Sequence, residues 1–337
     1  MNQLFVCHTQ YNLILAVGLS SSNDDLILFK DFDLTDVLKQ RLIGRFRKCL
    51  FLKGNYPKEQ LTAKHKFVKI LEDNRAIKAF ITEYDRIFIV DDMCIQEMYA
   101  LKLAHRKNNA VEMAWLEDGT NAYFRNNIVS KGMGATPLKR FIRKVFFGAS
   151  YSLFSFYDLG VCMGAHRRLT VIYVCFPDHV RSELAGKNRR EITDNQLING
   201  MEFMFKDKPY PMEDHSLLIA MDLLSVYGNS VGRVNDTIKA IVQEAIQTGK
   251  KVYCKYHPRE TEVLSSLAEV EKLKSEIGIE SYLINTTAKH MTVIGFKSNA
   301  LQIAKKLDFE VISLVNHVDI DTELITNFYK SIGIKCL

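Results

Sequence analysis

The chain has 337 residues, of which 47% are hydrophobic and 25% are charged, with 17 Gly and 6 Pro. This composition is that of a globular protein, and it excludes collagen-like, low-complexity and disordered chains. At about 100–200 residues per domain, the length predicts two domains, each able to bury its own core. The 45 basic and 39 acidic side chains give a net charge of +6, which favours anionic ligands without identifying one.

The first apolar run of the chain ends before His8 and has no basic region in front of it, so we expect neither a signal peptide nor an anchor. No stretch of about 18 apolar residues occurs, which predicts that no segment spans a membrane. The seven cysteines are scattered and mostly lie in apolar runs, so we expect reduced, buried thiols in a cytoplasmic protein. They are Cys7, Cys49, Cys94, Cys162, Cys175, Cys254 and Cys336.

Short apolar runs alternate with helical patterns along the chain, which is typical of α/β proteins with mainly parallel sheets. Apolar residues at helical spacing predict a helix over Asp236–Thr248, with Asn235 or Asp236 as its N-cap and Gly249 at its end. The predicted strands are Leu4–Cys7, Asp25–Phe29, Cys49–Leu52, Arg86–Val90, Val111–Leu116, Leu217–Met221, Val252–Tyr256, Ser281–Ile284, Thr292–Gly295 and Glu310–Leu314.

A polar stretch over residues 181–214 separates two series of strands and helices. We interpret it as a linker, which gives an N-terminal domain of residues 1–180 and a C-terminal domain of residues 181–337. Two Rossmann-like α/β domains facing each other across a cleft are the arrangement of GT-B enzymes, although other two-domain proteins share it. The predicted fold class is therefore α/β of the GT-B type.

Two acids and a glycine, Glu117-Asp118-Gly119, follow the predicted strand Val111–Leu116. Ligands of open parallel sheets bind at the carboxyl ends of the strands, where a carboxylate can act as a general base on a hydroxyl group. An Asp-Gly turn without a catalytic role explains the same residues.

A second motif, His257-Pro258-Arg259-Glu260, follows the predicted strand Val252–Tyr256. Because Pro258 disfavours helical geometry at His257, we expect the imidazole to project from the sheet edge beside Lys255 and Arg259, where it suits a phosphate. A histidine with only a structural role is the alternative interpretation.

A third motif, Lys297-Ser298-Asn299, lies between a predicted strand and a helix. A helix N-terminus favours an anion, and the hydroxyl group of Ser298 adds a further donor. An ordinary serine N-cap is equally compatible with these residues.

The three motifs, in this order, resemble those of bacterial sialyltransferases, and glycosyltransferase family 52 is the most similar. The resemblance extends to Leu4–Thr9, Glu117–Asn121, the basic helix Leu138–Lys144, His257–Arg259 and Phe296–Leu301. It implies a GT-B fold, CMP-N-acetylneuraminic acid as donor, inversion at the anomeric carbon, and neither a metal nor a cofactor. It also implies an acceptor that ends in galactose, in a lipooligosaccharide or capsular polysaccharide, with an α2,3 linkage expected before α2,6 or α2,8.

In some members of that family the catalytic aspartate lies in the loop before the helix that leads to the His-Pro strand. That loop is residues 222–236 here, so Asp222 and Asp236 compete with Asp118, our first choice for the base, and Asp236 also suits a helix cap. The predicted catalytic residues are Asp118, Glu117, His257, Asp222 and Asp236. The predicted residues for donor and substrate binding are Gly119, Thr9, Pro258, Arg259, Glu260, Lys297, Ser298 and Asn299. We expect the base and the acceptor on the N-terminal domain, and the CMP-sugar donor on the C-terminal domain.

Three short acidic patterns imitate the Asp-x-Asp motif of metal-dependent transferases, and we interpret them as surface or strand-end acids. They are Asp31-Phe32-Asp33, Asp91-Asp92 and Asp319-Ile320-Asp321.

The segment 138–156 combines basic and aromatic residues, which predicts peripheral contact with the anionic inner face of the cell membrane, or equally a helix packed on the core. A homodimer is compatible with the same segment. Two alternatives to a sialyltransferase stay open: a GT-B transferase that uses CMP-Kdo or a UDP-hexose, and a non-catalytic basic protein that binds anions or nucleic acid. Because the basic residues are dispersed among acids and no nucleic-acid-binding motif occurs, we expect no nucleic-acid partner.

Overall fold

The computed structural model describes residues 1–54, 63–92, 94–124, 163–205, 210–318 and 322–337. The chain divides into two compact units, Met1–Gly200 and Met201–Leu337. Each unit contains one sheet of parallel strands that alternate with helices, so the predicted α/β class is confirmed.

The described residues of the first unit form seven parallel strands: β1 (Gln3–Cys7), β2 (Asp25–Lys30), β3 (Lys48–Lys53), β4 (Arg86–Ile89), β5 (Glu112–Leu116), β6 (Val171–Val174) and β7 (Asn188–Glu191). Their order in the sheet is β3-β2-β1-β4-β5-β6-β7. The described helices are α1 (Gln10–Leu19), α2 (Asp36–Arg45), α3 (Ala63–Phe80), α4 (Ile95–Lys107) and α5 (Asp194–Phe205), whose last residues belong to the second unit.

All five strands predicted in the first half of the chain are present, and two further strands extend the sheet. The side chains of β6 are all buried, whereas those of β7 are all exposed, so β7 shows no apolar pattern that sequence analysis could detect. Because β7 pairs with β6 from Val171 opposite Asn188, the segment predicted as a linker contains an edge strand of this sheet. The two units consequently meet in sequence at residue 200, later than the predicted boundary at residue 180.

Within residues 210–318 and 322–337, the second unit has six parallel strands: β8 (Leu217–Ala220), β9 (Val252–Lys255), β10 (Glu271–Lys272), β11 (Thr292–Gly295), β12 (Glu310–Ser313) and β13 (Lys335–Cys336). Their order is β10-β9-β8-β11-β12-β13. The helices that begin in this unit, among its described residues, are α6 (Val231–Gln247), α7 (Ile279–Asn285), α8 (Asn299–Lys306) and α9 (Glu323–Ser331).

Two predictions for the second unit are wrong in part. The segment Ser281–Ile284 lies in helix α7 and forms no strand, because periodicity cannot distinguish a short buried helix from a buried strand. Helix α6 begins at Val231, so Asn235 and Asp236 lie inside it and neither is its N-cap, which is Ser230. The predicted end is confirmed, since Gly249 follows the helix with a φ of 75°.

Close packing of α1 against α5 depends on two glycines. A Cβ atom at Gly18 would lie 2.0 Å from the carbonyl oxygen of Gln196, and one at Gly200 would lie 2.1 Å from that of Ile14. The two backbones therefore approach at distances that leave no space for a side chain.

Parallel strands bring all their carboxyl ends to one edge of each sheet, and the three motifs lie at these edges. Across the described parts of the chain, no helix combines the length and the apolarity that a membrane span requires. The predicted basic segment 138–156, Cys162 and Asp319–Asp321 lie outside the described residues.

Candidate active site

Glu117 is the buried acid of the motif that follows β5. Its side chain is fully buried, and it accepts hydrogen bonds from the hydroxyl groups of Tyr11 and Tyr123 and, at 2.8 Å, from the backbone N–H of Cys175. Burial raises the pKa of Glu117, and these three donors counteract that rise. Because its oxygens are engaged by α1, by the turn after β5 and by the end of β6, this carboxylate joins three elements of the first unit.

Asp118 is the accessible acid of the same motif. It is half-buried, and its two oxygens differ: Oδ1 accepts a hydrogen bond from Asn12 Nδ2 at 3.2 Å, whereas Asn121 Nδ2 lies 3.5 Å from Oδ2, at the limit of a hydrogen bond. Burial raises the pKa of Asp118, and the hydrogen bond from Asn12 and the charge of His8 lower it. Gly119 follows with a φ of 56° and turns the chain away from the strand. The motif therefore contains both the predicted turn and a carboxylate at the end of the strand. Such a carboxylate is suited to accept a proton.

A buried histidine that the sequence analysis did not select lies near Asp118. His8 follows β1 and stacks on Phe29 with ring centroids 4.3 Å apart, its Nδ1 lies 3.2 Å from Asp31 Oδ2, and its Nε2 lies 2.8 Å from Glu97 Oε1. Burial lowers the pKa of His8, but Glu97 and Asp31 more than offset this, so the pKa lies well above 6.5 and the ring is a cation.

The same histidine belongs to a group of potential metal ligands, His8, Cys94 and Glu97, whose ligand atoms lie within 4.8 Å of one another. It is the one such group found among the described residues. Since both ring nitrogens of His8 already face carboxylates, we interpret the group as a buried ion cluster. The sequence signal was limited to a histidine directly after the first strand, because its partners come from β2 and α4.

Thr9 begins α1 as its N-cap. The Thr9 hydroxyl group accepts a hydrogen bond from the backbone N–H of Asn12, and Asn12 Oδ1 accepts one from the backbone N–H of Thr9, each at 3.2 Å. This reciprocal pair is a capping box. Thr9 is exposed at the same sheet edge as Asp118, so the structure places these two predicted site residues at one edge.

His257 follows β9 in the second unit and is half-buried. Its Nδ1 accepts a hydrogen bond of 3.2 Å from the backbone N–H of Arg259. Burial, and then the charges of Arg259 and Lys255, lower its pKa below 6.5, so the ring is neutral at pH 7. A neutral ring with Nδ1 as acceptor carries its proton on Nε2, which makes Nε2–H the donor of this residue.

The residues next to His257 differ in their contacts and in their exposure. Lys255 is buried, and its Nζ donates to the carbonyl oxygens of Tyr256 and Ser275, at 2.7 and 3.0 Å, so this cation is engaged by backbone. Pro258 and Arg259 are exposed. The carboxylate of Glu260 accepts the backbone N–H of Leu224 at 2.6 Å, which joins the loop after β9 to the loop after β8.

Asp222 connects the loop after β8 to the start of α8. Its Oδ2 accepts the backbone N–H of Lys297 at 3.2 Å and the hydroxyl group of Tyr227 at 3.3 Å, and burial raises its pKa. By contrast, Asp236 is exposed on α6, well inside the helix. Of these two predicted alternatives to Asp118, only Asp222 therefore lies at the sheet edge.

Ser298 is the N-cap of α8, and its Oγ accepts the backbone N–H of Ala300 at 3.2 Å. The N-cap role of Ser298 is compatible with anion binding, because the cap lies at the N-terminus of the helix, next to Lys297. Asn299 is the first helical residue, and among the described residues no group hydrogen-bonds to its buried Oδ1. The second unit thus gathers Asp222, His257 and Ser298 at the carboxyl edge of β8, β9 and β11.

Comparison with known proteins identifies the class. The profile of the alpha-2,8-polysialyltransferase family (POLYST) matches residues 4–315. Among solved structures, an alpha/beta-galactoside alpha-2,3-sialyltransferase from Photobacterium phosphoreum is similar, with a TM-score of 0.52 and 14% identity over 99% of this chain and 98% of that one. UDP-GlcNAc 2-epimerases from Methanocaldococcus jannaschii and Neisseria meningitidis each have a TM-score of 0.53 and 11% identity, over 100% and 99% of this chain and 89% and 87% of theirs. No protein of curated function matches in sequence.

The two parallel sheets and these structural likenesses define a fold of the GT-B type, which confirms the predicted class. The chain belongs to the alpha-2,8-polysialyltransferase family and is a glycosyltransferase of the sialyltransferase class. The prediction of a sialyltransferase is confirmed at this level, and the narrower resemblance to glycosyltransferase family 52 stays a prediction.

Proposed function

We propose that this protein transfers sialic acid from CMP-sialic acid to a hydroxyl group of a glycan, with inversion and without a metal ion. The family match over residues 4–315 carries the proposal. The geometry of the two sheet edges supports the roles that we propose, in which the first unit supplies the base and the second unit binds the phosphate of the donor.

Asp118 is the proposed base. Its carboxylate removes the proton of the acceptor hydroxyl group while that oxygen forms a bond to the anomeric carbon of sialic acid. Its partial exposure and the long contact of its Oδ2 support this role, whereas Glu117 is fully buried and engaged by three donors. Glu117 was a predicted catalytic residue, and we now propose that it holds the motif in place.

The leaving group is the phosphate of CMP, which takes the electron pair of the broken bond to the anomeric carbon. The Nε2–H of neutral His257 and the N-terminus of α8 at Ser298 offer donors to this phosphate. Asp222 and Glu260 position the loops that carry these donors. Stabilisation of the leaving phosphate by such donors is the task that a divalent metal has in many other transferases.

Two acids of the patterns that imitate Asp-x-Asp, Asp31 and Asp92, have partners that support the proposal of a reaction without a metal. Asp31 contacts the cationic ring of His8. Asp92 is fully buried and accepts the backbone N–H groups of Gly164 and His166, at 3.0 and 2.9 Å. Both carboxylates therefore already have structural partners.

The acceptor has two candidates. The resemblance stated above implies a terminal galactose, and the family description favours a terminal sialic acid and an α2,8 linkage. Assays with lactose and with α2,3-sialyllactose, followed by analysis of the product linkage, distinguish these acceptors.

Variants of the two sheet edges test the role assignment. We expect Asp118→Asn and His257→Ala each to reduce CMP release from CMP-sialic acid by at least about 100-fold, the size typical of a lost general base and of a lost donor to developing charge. Glu244→Gln, which removes an exposed carboxylate of α6, is the matched control and keeps full activity. If Asp222→Asn abolishes turnover while Asp118→Asn retains it, the base is assigned to the wrong unit.

A further inference from the structure

The side-chain amide of Asn12 has a fixed orientation. Asn12 is the third residue of α1 and is fully buried. Its Oδ1 accepts the backbone N–H of Thr9 in the capping box, so its Nδ2 faces the other way. There Nδ2 donates to Asp118 Oδ1 at 3.2 Å.

We propose that Asn12 is the positioning residue of the base: the N-cap of α1 fixes its amide, and the amide holds one oxygen of Asp118. The other oxygen, Oδ2, has Asn121 Nδ2 at 3.5 Å, the limit of a hydrogen bond, and stays available to the acceptor hydroxyl group. This inference rests on the proposed role of Asp118.

An asparagine is suited to contact both the helix cap and Asp118. The usual residue at this place in a capping box is Glu or Gln, whose side chain reaches back to the N-cap. Glutamate would bring a second carboxylate towards Asp118, whereas asparagine satisfies the cap with its oxygen and presents N–H donors on its other side. The side chain therefore serves the helix and the base at once.

Three groups act on the Asp118 carboxylate: the charge of His8 from the loop after β1, and the side-chain amides of Asn12 from α1 and Asn121 from the turn after β5. Burial favours the protonated acid, and the Asn12 donor together with the His8 charge favours the carboxylate. Loss of the Asn12 donor should therefore raise the pH at which Asp118 becomes ionised.

The test is the pH dependence of kcat/KM in the CMP-release assay with CMP-sialic acid. In Asn12→Asp the cap acceptor is retained and the donor to Asp118 becomes a like charge, so we expect the acid limb of the profile to move upward by roughly one pH unit or more. KM for the donor should stay within about twofold, because donor binding is proposed for the second unit. Asn12→Ala, which adds no buried charge, should give a smaller shift in the same direction.

Thr35→Ala is the matched control, since Thr35 caps α2 through the backbone N–H of Leu38 and is remote in sequence from the motif. A merely structural Asn12 would lower activity equally at all pH values, as a lost cap does, and that result overturns the inference. If Asp118→Asn is inactive but neither Asn12 variant moves the acid limb, the positioning role fails while the base assignment stands. If Asp118→Asn is active, the base assignment fails and the inference with it.

Discussion

Replacement of Glu117 by glutamine separates the structural acid of the motif from the catalytic one. Glu117 Oε2 accepts two donors, the hydroxyl group of Tyr123 and the N–H of Cys175, and Oε1 accepts the hydroxyl group of Tyr11. A glutamine that keeps its oxygen at the Oε2 place retains both of the first two donors. Its Nε2 then donates to the Tyr11 oxygen, and the Tyr11 O–H turns to Cys175 Sγ, 3.6 Å away.

The cost follows from this rearrangement. Hydrogen bonds to a charged group contribute about 1.5–3 kcal/mol and those to a neutral group about 0.5–1.5 kcal/mol, while removal of a buried charge offsets part of the difference. We therefore expect Glu117→Gln to lower the free energy of unfolding by about 1–3 kcal/mol. Glu117→Ala leaves three buried donors without an acceptor, at about 1–3 kcal/mol each, which approaches the whole stability of a domain.

The chain offers a local probe for this measurement. Trp115 is its one tryptophan, is fully buried in β5 two residues before Glu117, and donates to the carbonyl oxygen of Val90 at 2.8 Å. Urea unfolding followed by tryptophan fluorescence therefore reports on the sheet of the first unit. Turnover of the folded variants is measured in the same buffer.

We expect the two variants to have opposite effects on stability and turnover. Glu117→Gln should lose stability but keep turnover within about tenfold, whereas Asp118→Asn should keep stability within about 0.5–1 kcal/mol and lose turnover about 100-fold or more. The opposite pattern, an unchanged unfolding curve with abolished turnover in Glu117→Gln, would refute the reasoning and make Glu117 the base.

Three further predictions concern His8, His257 and Gly18. The folded pKa of His8 lies above its unfolded value, so its contribution to stability is complete below about pH 6.5 and is lost as the pH rises through the folded pKa. The difference in unfolding free energy between the wild type and His8→Asn should thus shrink with increasing pH, and a constant difference argues against the buried cation. For His257, nitrogen-15 NMR at pH 7 should show a neutral ring protonated on Nε2 with a pKa below 6.5, and an Nδ1–H tautomer contradicts the assigned hydrogen bond. Gly18→Ala should cost about 1–3 kcal/mol through contact with Gln196, whereas Gly44→Ala, whose Cβ would meet no described atom within 4 Å, should be neutral or slightly stabilising; equal effects would show that α1 and α5 are not closely packed.

The fold was predictable where the sequence pattern is local. Nine of the ten predicted strands exist, because apolar runs such as Leu217–Ala220 and Thr292–Gly295 form buried parallel strands. The exposed edge strand Asn188–Glu191 was not predictable, since its stability comes from pairing with β6 and its side chains carry no apolar pattern. Helix α6 begins at Val231, before the predicted cap at Asn235 or Asp236, for a similar reason: its first turn follows short helical turns and no side-chain cap marks it.

The candidate site was likewise predictable only where its residues lie next to a local sequence pattern. Sequence analysis selected Asp118, His257 and Ser298 because each directly follows or precedes a recognisable element. It ranked Asp118 first but listed Glu117 as catalytic too, since the contacts that engage Glu117 come from Tyr11, at a separation of 106 residues, and from Cys175, at 58. Roles that depend on contacts between distant strands, as for His8 and Asn12, require the three-dimensional structure.

The most direct test of the central claim is transfer by the wild-type protein from CMP-sialic acid to lactose or α2,3-sialyllactose, with and without EDTA. We expect release of CMP that depends on the acceptor, yields a sialylated product and is unchanged by EDTA. Consumption of CMP-Kdo or a UDP-hexose in place of CMP-sialic acid, or transfer that requires added Mg²⁺, would contradict the proposed reaction.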